Sequence, residues 1–562
     1  MKHINKIITL SLLTSSVLLG ATPNIGDIER QVQPPKEVQQ KQTPLIEING
    51  VKKYAPTMKD DKSGKTIFVK NFKINGAIHI EESKLQSLIS SYNGKDLTFT
   101  QLEEVTSVIT KKYRNQGYFV ARAYIPVQDI NKNNGIFMID IIEGNYGEFK
   151  LNNKSLVKDS VVQGMLDDAK ARDNVVSTNT LERSMLIIND TPGVVVTQAD
   201  VKPGSEVGSS DFIITTEKIN RVNGYVLTDN VGSRYTGKNR LMAGLNINSP
   251  FDIGDKIALS GLVSNETNLL NGRVAYSAPL ASNGLLGEIS YSQTNYDLTK
   301  EYKDLDAQGT AKTIDATLKY PVIRTRSENL YVNLNVANKD LEDKVNSTND
   351  VTKKDTQSLT IGTDYDKSYV VNNFDFLSKI SFNVKYGKLN FDDVADKTTD
   401  ENGADTNGNY SKVNLDLSNT IAFTNQISLD TALKMQYALG NKNLDGSEDI
   451  SIGGSSGVKL YPDSESSAEN GYVFNIEAKY KLPTFQNINN SVGIFYDRGR
   501  VWMANNNVGF ETKALQDAGV GYYASYDKYF GQAQVAWNVN SKEVTSEPDR
   551  NSKILFQAGM TF

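Results

Sequence analysis

The stretch "YVFNIEAKYKL", Tyr472 to Leu482, decides the fold. Taken alternately, Tyr472, Phe474, Ile476, Ala478, Tyr480 and Leu482 fall on one face, and Val473, Asn475, Glu477, Lys479 and Lys481 on the other. Successive side chains of a strand point to opposite faces, so this is a strand with one apolar and one wet side. The same alternation returns in "NLYVNLNV", "SKVNLDLS", "KISFNVKY" and "QAQVAWNV". It returns again in the terminal "ILFQAGMTF", where Ile554, Phe556, Ala558, Met560 and Phe562 share the apolar face. Strands of about 10 residues with a lipid face and a wet face, separated by polar turns, mark a transmembrane β-barrel. At roughly 20 residues per strand and connection, residues 220–562 suit about 16 antiparallel strands. A soluble β-sandwich also alternates, but a final strand this amphipathic with an aromatic last residue is not expected of one.

Upstream of the barrel the period changes. Within residues 66–145, "TIFVKNFKING" reads as a strand, "EESKLQSLISSY" and "TFTQLEEVTSVITKKYRNQGY" as amphipathic helices, and "ARAYIPVQDI" and "GIFMIDIIEG" as two further strands. Leu102, Val105, Val108 and Ile109 are spaced to build this module's own core. The same order recurs over residues 146–219, in "GEFKLNN", "DSVVQGMLDDAK", "STNTLERSMLIIND", "VVVTQADVKPG" and "SDFIITTEKI". Two tandem small α+β modules are expected. Residues 22–65, which include "QVQPPKEVQQKQTP", are too polar to bury a core and read as a tether. Residues 1–21 combine Lys2 and Lys6 with the apolar run from Ile7 to about Gly20, the pattern of a signal peptide. After it no apolar run reaches the length a membrane helix needs.

Composition narrows the chemistry. The 562 residues include no cysteine and two histidines, which argues against zinc and redox sites; carboxylate-only metal sites stay open, but no EF-hand spacing occurs. The formal net charge of -5 gives no sign of a nucleic-acid partner. One stretch matches a catalytic pattern: "GGSSG", Gly453 to Gly457, fits the G-x-S-x-G elbow of serine hydrolases with Ser455 as nucleophile. Such a serine needs a histidine. His3 lies in the expected signal peptide and His79 in the first module, so we read a glycine-rich loop, with no catalytic residue, no metal, no cofactor and no small-molecule substrate.

Two local motifs carry a resemblance. In "GGSSGVKLYP", Gly453, Gly454, Gly457, Val458, Lys459, Tyr461 and Pro462 resemble the sixth loop of the TpsB transporters of two-partner secretion, the ShlB/FhaC/HecB family. In "FYDRGRVW", Phe495, Asp497 and Gly499 resemble that family's F-x-D-x-G. The two modules resemble POTRA (polypeptide-transport-associated) domains. The resemblance implies that the loop, around residues 451–471, folds back into the lumen and brings Lys459 to Asp497. Strand parity agrees on one point by itself: Val492, Ile494 and Tyr496 share a face, which turns Phe495 and Asp497 inward. Lys459 and Leu460 stand where the family has arginine and a small residue; lysine keeps the charge without the bidentate fork.

The resemblance further implies a monomeric outer-membrane pore of a Gram-negative bacterium, in contact with lipid, with its POTRA domains in the periplasm. Its cargo would be one large secreted exoprotein of the TpsA type, an adhesin or haemolysin. Phe562 would serve as an assembly signal at the chain end. The alternative is an outer-membrane assembly insertase, which shares the architecture and usually carries more POTRA modules.

Overall fold

The alternation of Ile554, Leu555 and Phe556 shows how the wall is built: Ile554 is 66% and Phe556 47% exposed, whereas Leu555 is 3% exposed and packs inward. The computed structural model describes residues 23–29, 32, 48–49, 65–129, 132–539 and 543–562. The expected signal peptide, residues 1–21, lies outside the described residues, as does most of the 22–65 stretch.

Sixteen antiparallel strands close into a barrel, from Val222–Asp229 to Ser552–Thr561. The seam pairs Tyr225 with Thr561 and Asp229 with Gln557. Beyond the last strand, Phe562 and Gly224 exchange both backbone hydrogen bonds at 3.0 Å, and the Phe562 ring remains 48% exposed. Several strands exceed the expected 10 residues; Asp350–Val371 has 22. Ten tilted residues suffice to cross an apolar layer, so these strands are longer than a crossing requires.

Two α+β modules precede the barrel. In the first, Asn71–Asn75 runs parallel to Ile136–Ile142, which pairs antiparallel with Arg122–Tyr124. Helix Phe99–Asn115 starts with a capping box between Thr98 and Gln101 and buries Leu102, Val105 and Ile109 in the module's core, with Val108 half-buried beside them. The expected single strand over "TIFVKNFKING" divides at Lys70: Thr66–Val69 pairs instead with Lys95–Thr98, a short strand that the helical pattern after it had obscured. The second module repeats the plan, with Asn145–Lys154 parallel and Val194–Pro203 antiparallel to Ser209–Lys218, and helices Asp159–Arg172 and Thr178–Asp190 packed on the sheet.

The second module is tied to turns at one end of the barrel. Arg183 donates to the carbonyls of Pro321 (2.6 Å) and Asn283 (3.2 Å), and Arg324 grips Asp190 with two bonds of 2.6 and 2.8 Å. The joint between the modules uses backbone bonds from Val176 N–H to Gly144 and from Thr178 N–H to Gly117, the Thr178 hydroxyl on the same Gly117 carbonyl, Phe119 and Val120 packed on the second module's core, and His79 against Asp173.

The 22–65 stretch is not tether throughout, which corrects the sequence reading. Ile25–Glu29 is a helix inside the barrel, with Ile25 and Ile28 fully buried among Tyr225, Leu227, Met242 and Leu262. Two isoleucines one turn apart cannot form a core of their own, but they need none when a finished wall receives them. Ile48–Asn49 adds a parallel strand beside Ala199 and Asp200 at the edge of the second module's sheet.

Candidate functional site in the barrel lumen

The quoted loop enters the lumen as a hairpin. Ile450–Ser451 pairs antiparallel with Ser467–Ala468, and the segment between them turns back on itself. Gly454 N–H donates to the Tyr461 carbonyl at 2.9 Å, and Val458 N–H to the Ile452 carbonyl at 2.8 Å. Three glycines make the tip possible, and a Cβ on Gly457 would lie 2.3 Å from the Gly453 carbonyl oxygen. Gly454 has φ +87°, and a Cβ on it would overlap the Asp463 carboxylate; a Cβ on Gly453 would overlap the Pro462 carbonyl. Gly457, Val458, Lys459, Leu460, Tyr461 and Pro462 are all buried, and Ser455 lies exposed at the tip.

The wall meets this tip with its inward residues. Lys459 Nζ lies 2.7 Å from Asp497 Oδ2 and 4.3 Å from the centre of the Phe495 ring. Asp497 is fully buried and its other oxygen accepts from Asn475 Nδ2 at 2.7 Å; the same amide also reaches the Gly457 carbonyl at 2.9 Å. Thus one asparagine ties the loop backbone to the carboxylate that holds the loop cation. Gly499 lies under Ile452, where a Cβ would come within 2.6 Å of the isoleucine Cβ. Val492 and Ile494 point outward, 40% and 70% exposed.

Three further contacts had no motif to announce them. Asp517 stands directly opposite Asp497 in the strand register, is fully buried, and accepts the Leu460 N–H at 2.6 Å. The position read as a departure, Leu460, is therefore held by its backbone. Parity in "ALQDAGVGYY" could have found Asp517, because Val520 and Tyr522 face outward, 44% and 46% exposed. Glu465 accepts four hydrogen bonds of 2.7 to 3.0 Å from the backbone and hydroxyls of Thr545 and Ser546. The third is the N-terminal helix, whose first amide, Ile25 N–H, donates to Asp343 at 2.9 Å.

Among the described residues no histidine stands near Ser455 to complete a hydrolase site. The one histidine among the described residues, His79, sits in the first module against Glu143 and Asp173.

The family model for haemolysin secretion/activation protein ShlB/FhaC/HecB matches residues 208–523, more than half of the chain. The chain belongs to this family. A model for the ShlB-type POTRA domain matches residues 67–144. Among relatives of the family, the heme/hemopexin transporter protein HuxB of Haemophilus influenzae is 26% identical over 490 residues, which cover 87% of this chain and 85% of HuxB. CdiB from Escherichia coli has the same fold with a TM-score of 0.73 at 18% identity, over 91% of this chain and 94% of CdiB. BamA from Haemophilus ducreyi lacking POTRA domains 1–3 follows at 0.50 and 15%, over 88% of this chain and all of that one. The ShlB-type architecture thus fits better than the insertase architecture. Family members are outer-membrane transporters, and the chain carries their barrel and POTRA plan.

Proposed function

We propose that this protein is the TpsB-type pore that exports one large exoprotein from the periplasm to the cell surface. The family's description as haemolysin secretion proteins, and relatives named as a heme/hemopexin transporter and a hemolysin transporter, support a protein cargo. The observation that carries the reading is a sixteen-strand barrel whose lumen is occupied by its own loop and helix, on a chain with POTRA-type modules. A passive porin would keep its lumen clear and would have no use for the modules.

On this reading the modules face the periplasm and receive the unfolded cargo by strand addition, in which backbone hydrogen bonds give affinity with little side-chain code. The Lys459–Asp497 contact holds the loop in the resting lumen until cargo enters. Phe562, at the closing seam, serves barrel assembly, so its deletion should lower the amount of heat-modifiable barrel in the outer membrane; an unchanged amount would refute that role. The test of export itself is deletion of the gene followed by comparison of culture supernatants. One large protein should disappear. Loss of many unrelated outer-membrane proteins would favour the insertase instead.

A further inference from the structure

A second charged group lies in the lumen, away from Lys459. On the inner wall Lys385 stands directly opposite Lys412 in neighbouring strands. Like charges facing each other across a strand pair are unfavourable, and here the two side chains are only 19% and 9% exposed. Glu448 relieves the conflict, with its carboxylate 2.6 Å from Lys385 Nζ and 3.0 Å from Lys412 Nζ. Lys412 and Gln436 also donate to the Glu448 carbonyl at 2.6 and 2.8 Å. On the next strand over, Lys354 reaches Asp445 at 2.5 Å, and Asp445 in turn accepts the Ser447 N–H at 3.0 Å. The turn from Asp445 to Glu448, at the root of the in-folding loop, is therefore fixed to four successive strands, through Lys354, Lys385, Lys412 and Gln436.

The other side of the turn carries the N-terminal helix. Gly26 packs so closely on it that a Cβ there would lie 2.8 Å from Ser447 Cα and 2.9 Å from the Gly446 carbonyl carbon. We propose that the turn Asp445–Glu448 is the seat that positions the N-terminal helix in the lumen, with Glu448 as a positioning residue that acts through the lysines. A polypeptide crossing the lumen has to displace that helix, and the seat sets how readily it leaves. The importance of the seat for transport rests on the export reading, but helix occupancy is measured without cargo, so the two fail separately.

The chain has no cysteine, so Ser447→Cys in the full-length protein, inserted in lipid vesicles, gives a single thiol half-buried beneath the helix. Its labelling rate with a polar maleimide reports helix departure. Glu448→Gln should raise the rate at least about tenfold, because two buried ammonium groups lose their common counter-charge. Gly26→Leu, which leaves the wall intact, should raise it by a similar factor, and the two changes together should add little. Lys385→Arg, which keeps the charge, should stay within about twofold of the parent. If Glu448→Gln fails to insert, Lys385→Gln, which leaves Glu448 its Lys412 contact, carries the same test. An unchanged rate in the glutamine variants overturns the proposal. So does a rise with Glu448→Gln but none with Gly26→Leu, since the thiol would then be exposed by melting of the turn alone. Normal helix departure with no export of any protein would instead count against the export reading.

Discussion

Among the cation–carboxylate contacts of this molecule, one inside the lumen and one between the modules differ chiefly in how dry they are. Lys459 meets an Asp497 with no exposure, in a loop whose neighbours are all buried. His79 lies between Glu143 (2.6 Å) and Asp173 (3.1 Å) with a quarter of its side chain and a third of Asp173 exposed. A neutral imidazole donates from one nitrogen only, so holding both carboxylates takes the imidazolium. Burial opposes that charge, but the hydrogen bond and charge of Glu143, joined by Asp173, outweigh it and hold His79 above its ordinary value. Burial would likewise push Glu143 up; the N–H groups of His79 and Ile78, the His79 ring and the Tyr113 hydroxyl outweigh it and hold the carboxyl below its usual range. A dry contact is either made or lost at large cost, whereas a wet one is worth little and can be graded by pH. The lumen is built to hold and the joint to adjust.

Breaking the dry contact should have the largest effect. Asp497→Ala strips Lys459 and Asn475 of their common partner, and the in-folded loop should lose about 3–5 kcal/mol, read as a rise in the open fraction of single channels in planar bilayers. A channel as quiet as the parent would mean that Glu465 and the loop root suffice. Lys459→Arg sharpens the point. Because Asn475 already occupies the second Asp497 oxygen, the guanidinium gains no bidentate grip, and the open fraction should stay within about 1 kcal/mol of the parent.

The joint should respond less and with a different signature. His79→Gln should cost about 1 kcal/mol or less, and only at pH below the raised His79 value. A folded value raised above the unfolded one means that the His79 contribution is full below about pH 6.5 and fades as pH rises through the raised value. Toward acid it fades again as Glu143, held low, finally protonates. His3 is the chain's other histidine, so a histidine-selective NMR titration on a His3→Gln background reads His79 directly. A midpoint at or below about 6.5 would contradict the bridge. The smallest effect belongs to Ser455→Ala, which sits exposed at the loop tip and should leave export unchanged.

Much of this was legible in the residues because strand parity is local. Alternation in Tyr472 to Leu482 and in Ser491 to Gly499 gave the wall its faces and turned Asp497 inward, and the element order gave both modules. Parity does not say which residue lies across from which. Asp517 has the same inward parity, yet its place beside Asp497 depends on the register of two strands. The Lys385–Lys412 pair depends likewise on register, and its acidic partner comes from a loop far along the chain. The N-terminal helix escaped for another reason. Whether Ile25 and Ile28 are enough depends on the surface that receives them, which is assembled from residues far along the chain, from Tyr225 onward.

The central claim is that Lys459 and Asp497 act as one unit that keeps the loop inside an export pore. A double-mutant cycle on secreted exoprotein and on channel open fraction, with Lys459→Ala, Asp497→Ala and the pair, tests it most directly. Each single change should impair export with the barrel still inserted, and the pair should fall short of additivity by a coupling of roughly 0.5 to 3 kcal/mol. Strictly additive effects, or full export from either single variant, would contradict the account.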